Sequence, residues 1–342
     1  MQAATKNSLL IHNPRAGNGG NGRRRTLDEA RKLLSSSGIE TELAETRTPG
    51  EATEIARGAV KAGRDLVIAC GGDGTLNEVV NGLAMSPGGC QVPLALLPGG
   101  TANILAKELG LPWDVLRAAK RLPQAKPRPI ALGLATPLAT PEKRRHFLCV
   151  AGAGPDGVMV YSLDLGLKER VGILAYWYEG LRQVFRYTFP RFRIISGERT
   201  VDASLVVVGR TKHYGGPFQI TTEADLFEDR FELAAVTAEN GLGYLAHLPS
   251  LWLGKLHEAS GIHFWKTDAL LCEPLGKEPV YAQVDGEPLG RLPVEFRIVP
   301  RAITLMVPEP SPQAKPLGYS GNGNGHSPER EVQTRLENDS RS

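Results

Sequence analysis

The sequence predicts an α/β + β protein: a doubly wound parallel domain, then a largely antiparallel β-sandwich domain with inserted helices. Apolar runs alternate with helical segments through Leu109, which is typical of a parallel sheet. Prolines and basic residues concentrate between Pro123 and Pro129, which indicates a hinge, and most later segments are short and strand-like. We therefore place domains at 1–128 and 129–308, followed by a disordered tail at 309–342, which is rich in Pro, Gly, Ser, Asn and charge.

Length and composition are those of an ordinary globular protein. The chain has 342 residues, 41% of them hydrophobic and 23% charged, which is enough for two domains with cores. The net charge is only +3, and no basic stripe is interleaved with aromatics, so we expect no nucleic-acid partner. Four scattered cysteines without metal-ligand spacing are typical of buried, reduced thiols. No apolar run approaches the ~20 residues that span a bilayer, so we expect a cytoplasmic protein.

In the first part, short apolar runs predict four buried parallel strands at Ser8–His12, Glu40–Glu45, Leu66–Cys70 and Pro93–Leu97. Helical spacing predicts helices over Leu27 to Leu34, Pro49 to Val60, Thr75 onward, and Ile104 to Leu109. Ligands of open α/β sheets bind at the carboxyl ends of the strands. We therefore expect the loops after the strands to meet at one edge, namely Asn13–Gly17, Thr46, Gly71–Asn77 and Gly99–Asn103.

The third strand leads into a glycine-rich turn, Gly71-Gly72-Asp73-Gly74-Thr75. Glycines let the backbone bend tightly and approach a ligand closely. The start of the next helix offers unpaired N–H groups and a partial positive charge, which favour phosphate. Asp73 adds a carboxylate there, which indicates a cation such as Mg²⁺ between the two. The alternative is a strand–helix turn in which Asp73 only caps the helix.

The second part contains eight strand-like segments, Ile130–Ala135, Phe147–Ala151, Arg191–Ser196, Ala203–Gly209, Phe231–Thr237, Val280–Val284, Val294–Val299 and Ala302–Val307. A proline-marked insert, Thr136–Arg145, is expected to form an exposed hairpin tip. Two helical regions, Gly157–Tyr187 and Gly243–Leu256, interrupt the strands. Their apolar and aromatic residues favour core packing, and the alternative is a lipid-facing surface.

Four motifs then occur in the order of one known family: Asn13-Pro14 with Gly17, Gly71-Gly72-Asp73-Gly74-Thr75 with Asn77-Glu78, Gly99-Gly100-Thr101-Ala102-Asn103, and Asp285-Gly286-Glu287. With these motifs the chain resembles the diacylglycerol kinase catalytic-domain family from about Ser8 to Val307. That family includes bacterial diacylglycerol and related lipid kinases, sphingosine kinases and ceramide kinases. The resemblance implies a nucleotide-binding domain of the NAD kinase/diacylglycerol kinase type, joined to a β-sandwich lipid-substrate domain with the active site in the cleft.

The resemblance, together with the glycine-rich turn, implies a site for ATP and Mg²⁺. The residues expected at the nucleotide are Asn13, Gly17, Thr46, Gly71, Gly72, Asp73, Gly74, Thr75, Leu76, Asn77, Gly100, Thr101 and Asn103. Phosphoryl transfer is catalysed mainly by positioning and by charge neutralisation. The turn has no Walker-type lysine, so neutralisation is expected from Mg²⁺ and from Arg15 or Arg47.

The catalytic set is expected to be Asp73, Asp285 and Glu287. Two carboxylates that flank a glycine suit a base that takes the proton of an incoming hydroxyl. In bacterial members of the family, the residue matching Glu287 is the usual proton acceptor. Asp-Gly is also a strong hairpin signal, and a hairpin turn can present the base.

The resemblance also implies a second, structural Mg²⁺. Bacterial members bind it through an Asp-Gly pair and backbone carbonyls, and here Glu228-Asp229 stands in place of that pair. Asp225, Glu228 and the carbonyl of Arg230 would occupy the liganding positions.

The function implied is ATP-dependent transfer of a γ-phosphoryl group to a hydroxyl of a diacylglycerol-like or sphingoid lipid, by an enzyme peripheral to the inner membrane face. The oligomeric state, including a homodimer, stays open. One alternative is a soluble-substrate kinase of the NAD kinase type, which shares the glycine-rich turn. The other is a lipid- or nucleotide-binding regulator without turnover, because Ile104 and Ala131 stand where many family members carry Asp.

Overall fold

Residues 5–17, 21–162, 188–215 and 218–309 are described by the computed structural model. Residues 163–187 of the predicted Gly157–Tyr187 helical region and nearly all of the predicted tail lie outside these residues. The strands are β1 (Thr5–His12), β2 (Ile39–Glu45), β3 (Leu66–Gly71), β4 (Leu94–Pro98), β5 (Lys126–Pro137), β6 (Arg145–Phe147), β7 (Val150–Ala153), β8 (Phe192–Ser196), β9 (Arg199–Ala203), β10 (Leu205–Gly209), β11 (His213–Gly215), β12 (Phe218–Gln219), β13 (Phe231–Val236), β14 (Ile262–Thr267), β15 (Ala269–Pro274), β16 (Tyr281–Val284), β17 (Glu287–Arg291) and β18 (Val294–Val307).

The α-helices are α1 (Asn21–Ser36), α2 (Glu51–Lys61), α3 (Asp73–Ala84), α4 (Ile104–Glu108), α5 (Val115–Arg121), α6 (Pro155–Ser162), α7 (Gly241–Leu245) and α8 (Leu248–Trp252). Single 3₁₀ turns lie at Gly89–Gln91, Leu122–Gln124, Pro141–Lys143 and Leu256–Glu258. No helix in the described ranges is long and apolar enough to cross a membrane.

The first part is a doubly wound parallel sheet, as the alternation of strands and helices predicts. Its strands have the order β2–β1–β3–β4 and are all parallel. Residues of β3 are buried along its whole length, because helices cover both faces. One face packs on α2 and α3 through residues such as Ala56 and Val79, and the other on α1 and α5 through residues such as Leu34 and Ala118.

The second part is the predicted antiparallel β-sandwich. One layer has the order β6–β5–β18–β15–β8–β9 and the other β14–β13–β10–β7–β16–β17. Aromatic rings fill the space between the layers. Phe147 stacks on Phe231 at 5.5 Å between ring centroids and meets Phe296 edge-on at 6.3 Å. Such pairs add stability beyond the area that they bury.

Two long strands join the parallel sheet to the sandwich. β5 and β18 pair along their lengths, and β18 also pairs with β15 near its start and with β4 through Leu305 near its end. The segments Val294–Val299 and Ala302–Val307, predicted as separate strands, form this single strand with an irregularity between Val299 and Ile303. β5 runs unbroken through the predicted boundary between 128 and 129, and that domain boundary stays a prediction.

Some element predictions differ from the structure. The segment Phe147–Ala151 is divided between β6 and β7, which lie in opposite layers, because the chain crosses the sandwich there. The predicted helical region Gly243–Leu256 consists of two short helices and a 3₁₀ turn, with Pro249 near the start of the second helix. Strands β9, β11, β12, β14, β15 and β17 were not predicted; polar and charged residues in β9 and β14 obscure the period-2 pattern.

Candidate active site

The glycine-rich turn packs backbone against backbone on the loop after β4. The Gly99 N–H donates to the Gly71 carbonyl at 2.8 Å. A Cβ atom on Gly100 would lie 2.4 Å from the Cα atom of Gly72, so only glycine fits at this crossing. Asn103 closes the second loop, because its side chain bonds both the N–H and the carbonyl of Gly100.

The other two loops predicted at this edge also reach it. The Asn13 amide donates to the Thr75 hydroxyl at 2.9 Å, which joins the loop after β1 to the start of α3. Thr46, at the end of β2, is buried and donates its N–H to the His12 carbonyl at 2.9 Å. The carboxyl ends of β1, β2, β3 and β4 therefore form one connected edge.

Two glutamates fix the loop after β2. Glu78 on α3 accepts hydrogen bonds from the N–H groups of Gly50 and Ala52 at the start of α2. Glu51 accepts the N–H groups of Arg47 at 2.6 Å and Thr48 at 3.2 Å, and these backbone bonds lower its pKa. The backbone at Arg47, one of the two arginines expected to neutralise phosphate charge, is thereby held in place.

Asp285 anchors a hairpin turn to this edge. Asp285 and Gly286, between β16 and β17, have φ angles of 47° and 80°, as a two-residue hairpin turn with both φ values positive requires. The Asp285 carboxylate accepts three backbone N–H groups of the 148–150 segment at 2.8 to 3.0 Å and the Asn77 amide at 2.8 Å. With two bonds on each oxygen, this carboxylate is filled as an acceptor and positions the turn on α3.

Glu287 lies directly over the glycine-rich turn. It follows Gly286 as the first residue of β17, and a Cβ atom on Gly74 would lie 3.2 Å from its Oε1 atom. The absence of a side chain at Gly74 leaves the space that this carboxylate approaches. Gly74 and Glu287 belong to motifs more than 200 positions apart in the sequence, and the fold brings them next to each other.

Asp73 is a partly buried carboxylate at the first turn of α3. Its Oδ1 atom accepts the N–H of Ile104 at 2.7 Å, so it ties the glycine-rich turn to α4. Burial raises its pKa, and the neighbouring charge of Asp285 raises it further, against the effect of the backbone bonds. Ionised Asp73 is thus costly in this site, which is the condition that a bound cation relieves.

Not every predicted residue presents a side chain at this edge. Leu76, which belongs to α3, packs into the hydrophobic core, and its N–H donates to the Gly72 carbonyl. Thr101 is exposed on the loop after β4. Gly17, in the loop after β1, has a left-handed conformation with φ of 65°.

Three residues near the acidic side chains were not singled out from the sequence. Arg145 was expected at an exposed hairpin tip, but its Nε atom donates to Asn77 Oδ1 at 2.7 Å. His146 is buried beside α3, and burial together with Arg144 lowers its pKa to about 4. The pKa of Lys107 on α4 is lowered overall, because the effect of burial exceeds the opposing effect of the Asp73 charge. The run of basic residues Lys143-Arg144-Arg145 is a sequence pattern that could have indicated Arg145.

The donor set predicted for a structural Mg²⁺ does not fit a metal. Asp225 Oδ1 accepts the N–H of Phe227 at 2.8 Å, and Glu228 Oε2 accepts the Lys266 ammonium at 2.9 Å. The carbonyl of Arg230 faces the guanidinium of Arg210. Across the described ranges, no cluster of three or more His, Cys, Asp or Glu side chains is arranged to hold a metal ion.

Comparisons with known proteins agree with this architecture. Residues 7–135 match the model of the diacylglycerol kinase catalytic domain, and residues 151–307 match a C-terminal domain described as NAD kinase beta sandwich-like. The chain is similar to a diacylglycerol kinase of Bacillus subtilis (strain 168), with 30% identity over 89% of this chain and 97% of that protein. It is also similar to a diacylglycerol kinase of Staphylococcus saprophyticus, with 28% identity over 89% of this chain and 96% of that protein.

Solved structures show the same fold. A diacylglycerol kinase from Bacillus anthracis str. Sterne has a TM-score of 0.71 and 23% identity, covering 90% of this chain and 99% of that one. A second structure from the same organism has a TM-score of 0.75 and 23% identity, covering 90% of this chain and 97% of that one.

The fold and these matches define a phosphotransferase of the kinase type. Within that class, the chain belongs to the diacylglycerol kinase catalytic-domain family. The resemblance seen in the four sequence motifs is thereby confirmed, and so are the α/β and β-sandwich parts of the fold.

Proposed function

We propose that this protein transfers the γ-phosphoryl group of ATP to a hydroxyl group of a diacylglycerol-like or sphingoid lipid. The observation that carries the proposal is the position of Glu287 Oε1 over Gly74 in the glycine-rich turn. A carboxylate at that position faces the backbone where the phosphates would bind. An acceptor hydroxyl between the two would meet its base and its phosphoryl donor together.

In this proposal, the N–H groups at the start of α3 and the loop after β4 hold the phosphates. Glu287 takes the proton of the acceptor hydroxyl as the new P–O bond forms, while the bond from the γ-phosphorus to the β–γ bridging oxygen breaks and ADP leaves with that oxygen. Asp285, filled by four hydrogen bonds, keeps the turn that carries Glu287 seated on Asn77. Each of these roles is one of position, as phosphoryl transfer requires.

The support for Mg²⁺ at this edge is Asp73, whose partly buried carboxylate lies near the negative charge of Asp285. Asp73 is the residue that would hold it together with the nucleotide phosphates. When bound, Mg²⁺ would neutralise charge on the transferring group. Arg145 supplies a protein cation on the opposite side of Asn77.

A lipid acceptor requires contact with a membrane surface, and the sandwich offers an apolar patch for it. Leu242 on α7, Trp252 at the end of α8 and Leu253 directly after it are exposed to 73%, 69% and 72%, respectively. Trp252 is fixed edge-on against Phe218 at 5.4 Å between centroids. Exposed aromatic and leucine side chains on short helices suit insertion into the interfacial region of a bilayer. We propose that α7 and α8 lie on the membrane surface.

The function is tested by incubating purified protein with γ-labelled ATP, Mg²⁺ and one acceptor at a time in mixed micelles: diacylglycerol, ceramide, sphingosine or NAD. Label in a lipid product supports the proposal. Label in NAD alone would replace it with an NAD kinase function. ATP binding without label in any acceptor would favour a non-catalytic regulator.

The membrane contact is tested by vesicle sedimentation of the double variant Trp252→Ser, Leu253→Ser. Loss of these side chains is expected to reduce the bound fraction about tenfold or more, since each buries a large apolar area. Trp113→Ser is the matched control, because Trp113 is an exposed tryptophan next to α5 in the parallel-sheet part. Equal binding by both variants would contradict the proposed surface.

A further inference from the structure

Arg210 is an arginine with no exposed surface, located just after β10. A buried charge is costly unless hydrogen bonds compensate for it. Its pKa is lowered by burial to about 10, so the guanidinium stays charged at neutral pH. A fully buried cation of this kind requires a structural explanation.

The explanation lies in four backbone carbonyls that converge on the guanidinium. Nη1 donates to Glu228 O at 2.6 Å and to Arg230 O at 3.3 Å. Nη2 donates to Leu226 O at 2.7 Å and to Ala131 O at 2.9 Å. The four N–H groups of the two Nη atoms are thus all bonded to carbonyls, while Nε has no partner in the described part of the chain.

This arrangement resembles a cation site rather than an ion pair. Carbonyl oxygens that converge from one loop are typical ligands of hard cations. Here the loop at 226–230 supplies three of them and strand β5 supplies the fourth through Ala131. The negative charges of Asp229 and Asp225 stabilise the guanidinium from nearby.

The residues expected as metal ligands are already engaged with protein groups. The Arg230 carbonyl bonds Arg210, and the Glu228 carboxylate pairs with Lys266. Ala131 on β5 contributes its carbonyl, which also bonds Arg210. The carbonyls of Ala131 and Arg230 therefore meet at one side chain.

We propose that the Arg210 guanidinium is a built-in cation that holds the 226–230 loop on β5, in place of a bound divalent metal. The fold of this loop then needs no Mg²⁺. The metal requirement of the protein is confined to the nucleotide site. Arg210 is a positioning residue for the sandwich and touches no substrate.

The test is thermal unfolding of the full chain without nucleotide, in excess EDTA and in millimolar Mg²⁺. The wild-type midpoint is expected to be the same in both, and Arg210→Ala is expected to lower it by roughly 5–10 °C because four buried carbonyls lose their donors. Arg193→Ala is the matched control, since Arg193 pairs with Asp202 at the surface, and it is expected to shift the midpoint by less than ~2 °C. A wild-type midpoint that falls in EDTA and returns with Mg²⁺ would overturn the proposal.

A second measurement keeps the proposal testable if Arg210→Ala does not fold. Mn²⁺ binding to nucleotide-free protein is measured by electron paramagnetic resonance for wild type and for Glu228→Gln, a half-exposed position. Equal Mn²⁺ stoichiometry in the two proteins supports the guanidinium site. Loss of one bound Mn²⁺ in Glu228→Gln would show a metal site at this loop and overturn it.

Discussion

Two clusters of charged groups lie inside this protein, and they differ in how their charge is compensated. Around Arg210, four carbonyls satisfy one buried cation. The partly buried Asp73 carboxylate, in contrast, lies near the charge of Asp285, and its pKa is raised. The charge of Arg210 is compensated by carbonyls of the chain itself, whereas the charge of Asp73 is raised in energy by burial and by Asp285. We interpret the first cluster as structural and propose the second as a site for a bound cation.

The largest effect is expected when the proposed base, Glu287, is replaced. Glu287→Gln keeps the size and polarity of the side chain but cannot accept the hydroxyl proton, so kcat is expected to fall by about 10²–10⁴. Affinity for ATP, measured by isothermal titration calorimetry, is expected to stay unchanged. A variant with wild-type kcat would show that Glu287 has no part in proton transfer.

A second prediction concerns His146, a buried imidazole for which burial favours the neutral form. Its folded pKa of about 4 lies below the ordinary value of 6.5, so the unfolded chain takes up the proton first. Its contribution to stability is therefore complete above pH 6.5 and is lost as the pH falls towards 4, by roughly 3 kcal/mol. In His146→Gln this part of the pH dependence is expected to disappear in urea unfolding curves. An unchanged pH profile would contradict the lowered pKa.

A third prediction concerns the close approach of Glu287 to the glycine-rich turn. In Gly74→Ala, the new Cβ would lie 3.2 Å from Glu287 Oε1, so the carboxylate must move by a few tenths of an ångström. Activity is expected to fall about tenfold, because catalytic positioning is sensitive to displacements of this size. Gly58→Ala is the control, since a Cβ there meets nothing within 4 Å and the residue lies inside α2. Equal activities would place Glu287 away from the turn.

The smallest expected effect, that of Asp73→Asn, tests the comparison between the Arg210 and Asp73 clusters most directly. Asp73→Asn keeps an acceptor for the Ile104 N–H and removes the buried charge, so without nucleotide or metal the midpoint at pH 7 is expected to rise by about 2 °C. Because the pKa of Asp73 is raised in the folded state, ionised Asp73 lowers the stability of the fold at pH values above its ordinary pKa of 3.8. The gain is therefore expected to vanish as the pH falls towards 3.8. A destabilised variant at pH 7 would show that the acidic cluster is compensated like Arg210.

The sequence predicted the parallel sheet well because buried strands and amphipathic helices leave strong, short-range patterns. Asn13, Asp73 and Glu287 could be singled out because each stands in a motif with a local backbone requirement. Arg210 could not be predicted, since its partners lie at Ala131 and at 226–230, and no local pattern indicates a buried arginine. The continuity of β18 was missed for a similar reason: Pro300 and Arg301 indicate a break, but the partner strand β5 spans it.

The shared ribbon of β5 and β18 has a consequence for how substrates exchange. Its paired residues run from Val294 opposite Pro137 to Val307 opposite Lys126, and we expect this long pairing to make the connection stiff. The exception is the short irregularity at Arg301, whose φ of 50° marks the place where bending would concentrate. We therefore expect nucleotide and product to enter and leave through small local motions of loops, without a wide opening of the two halves.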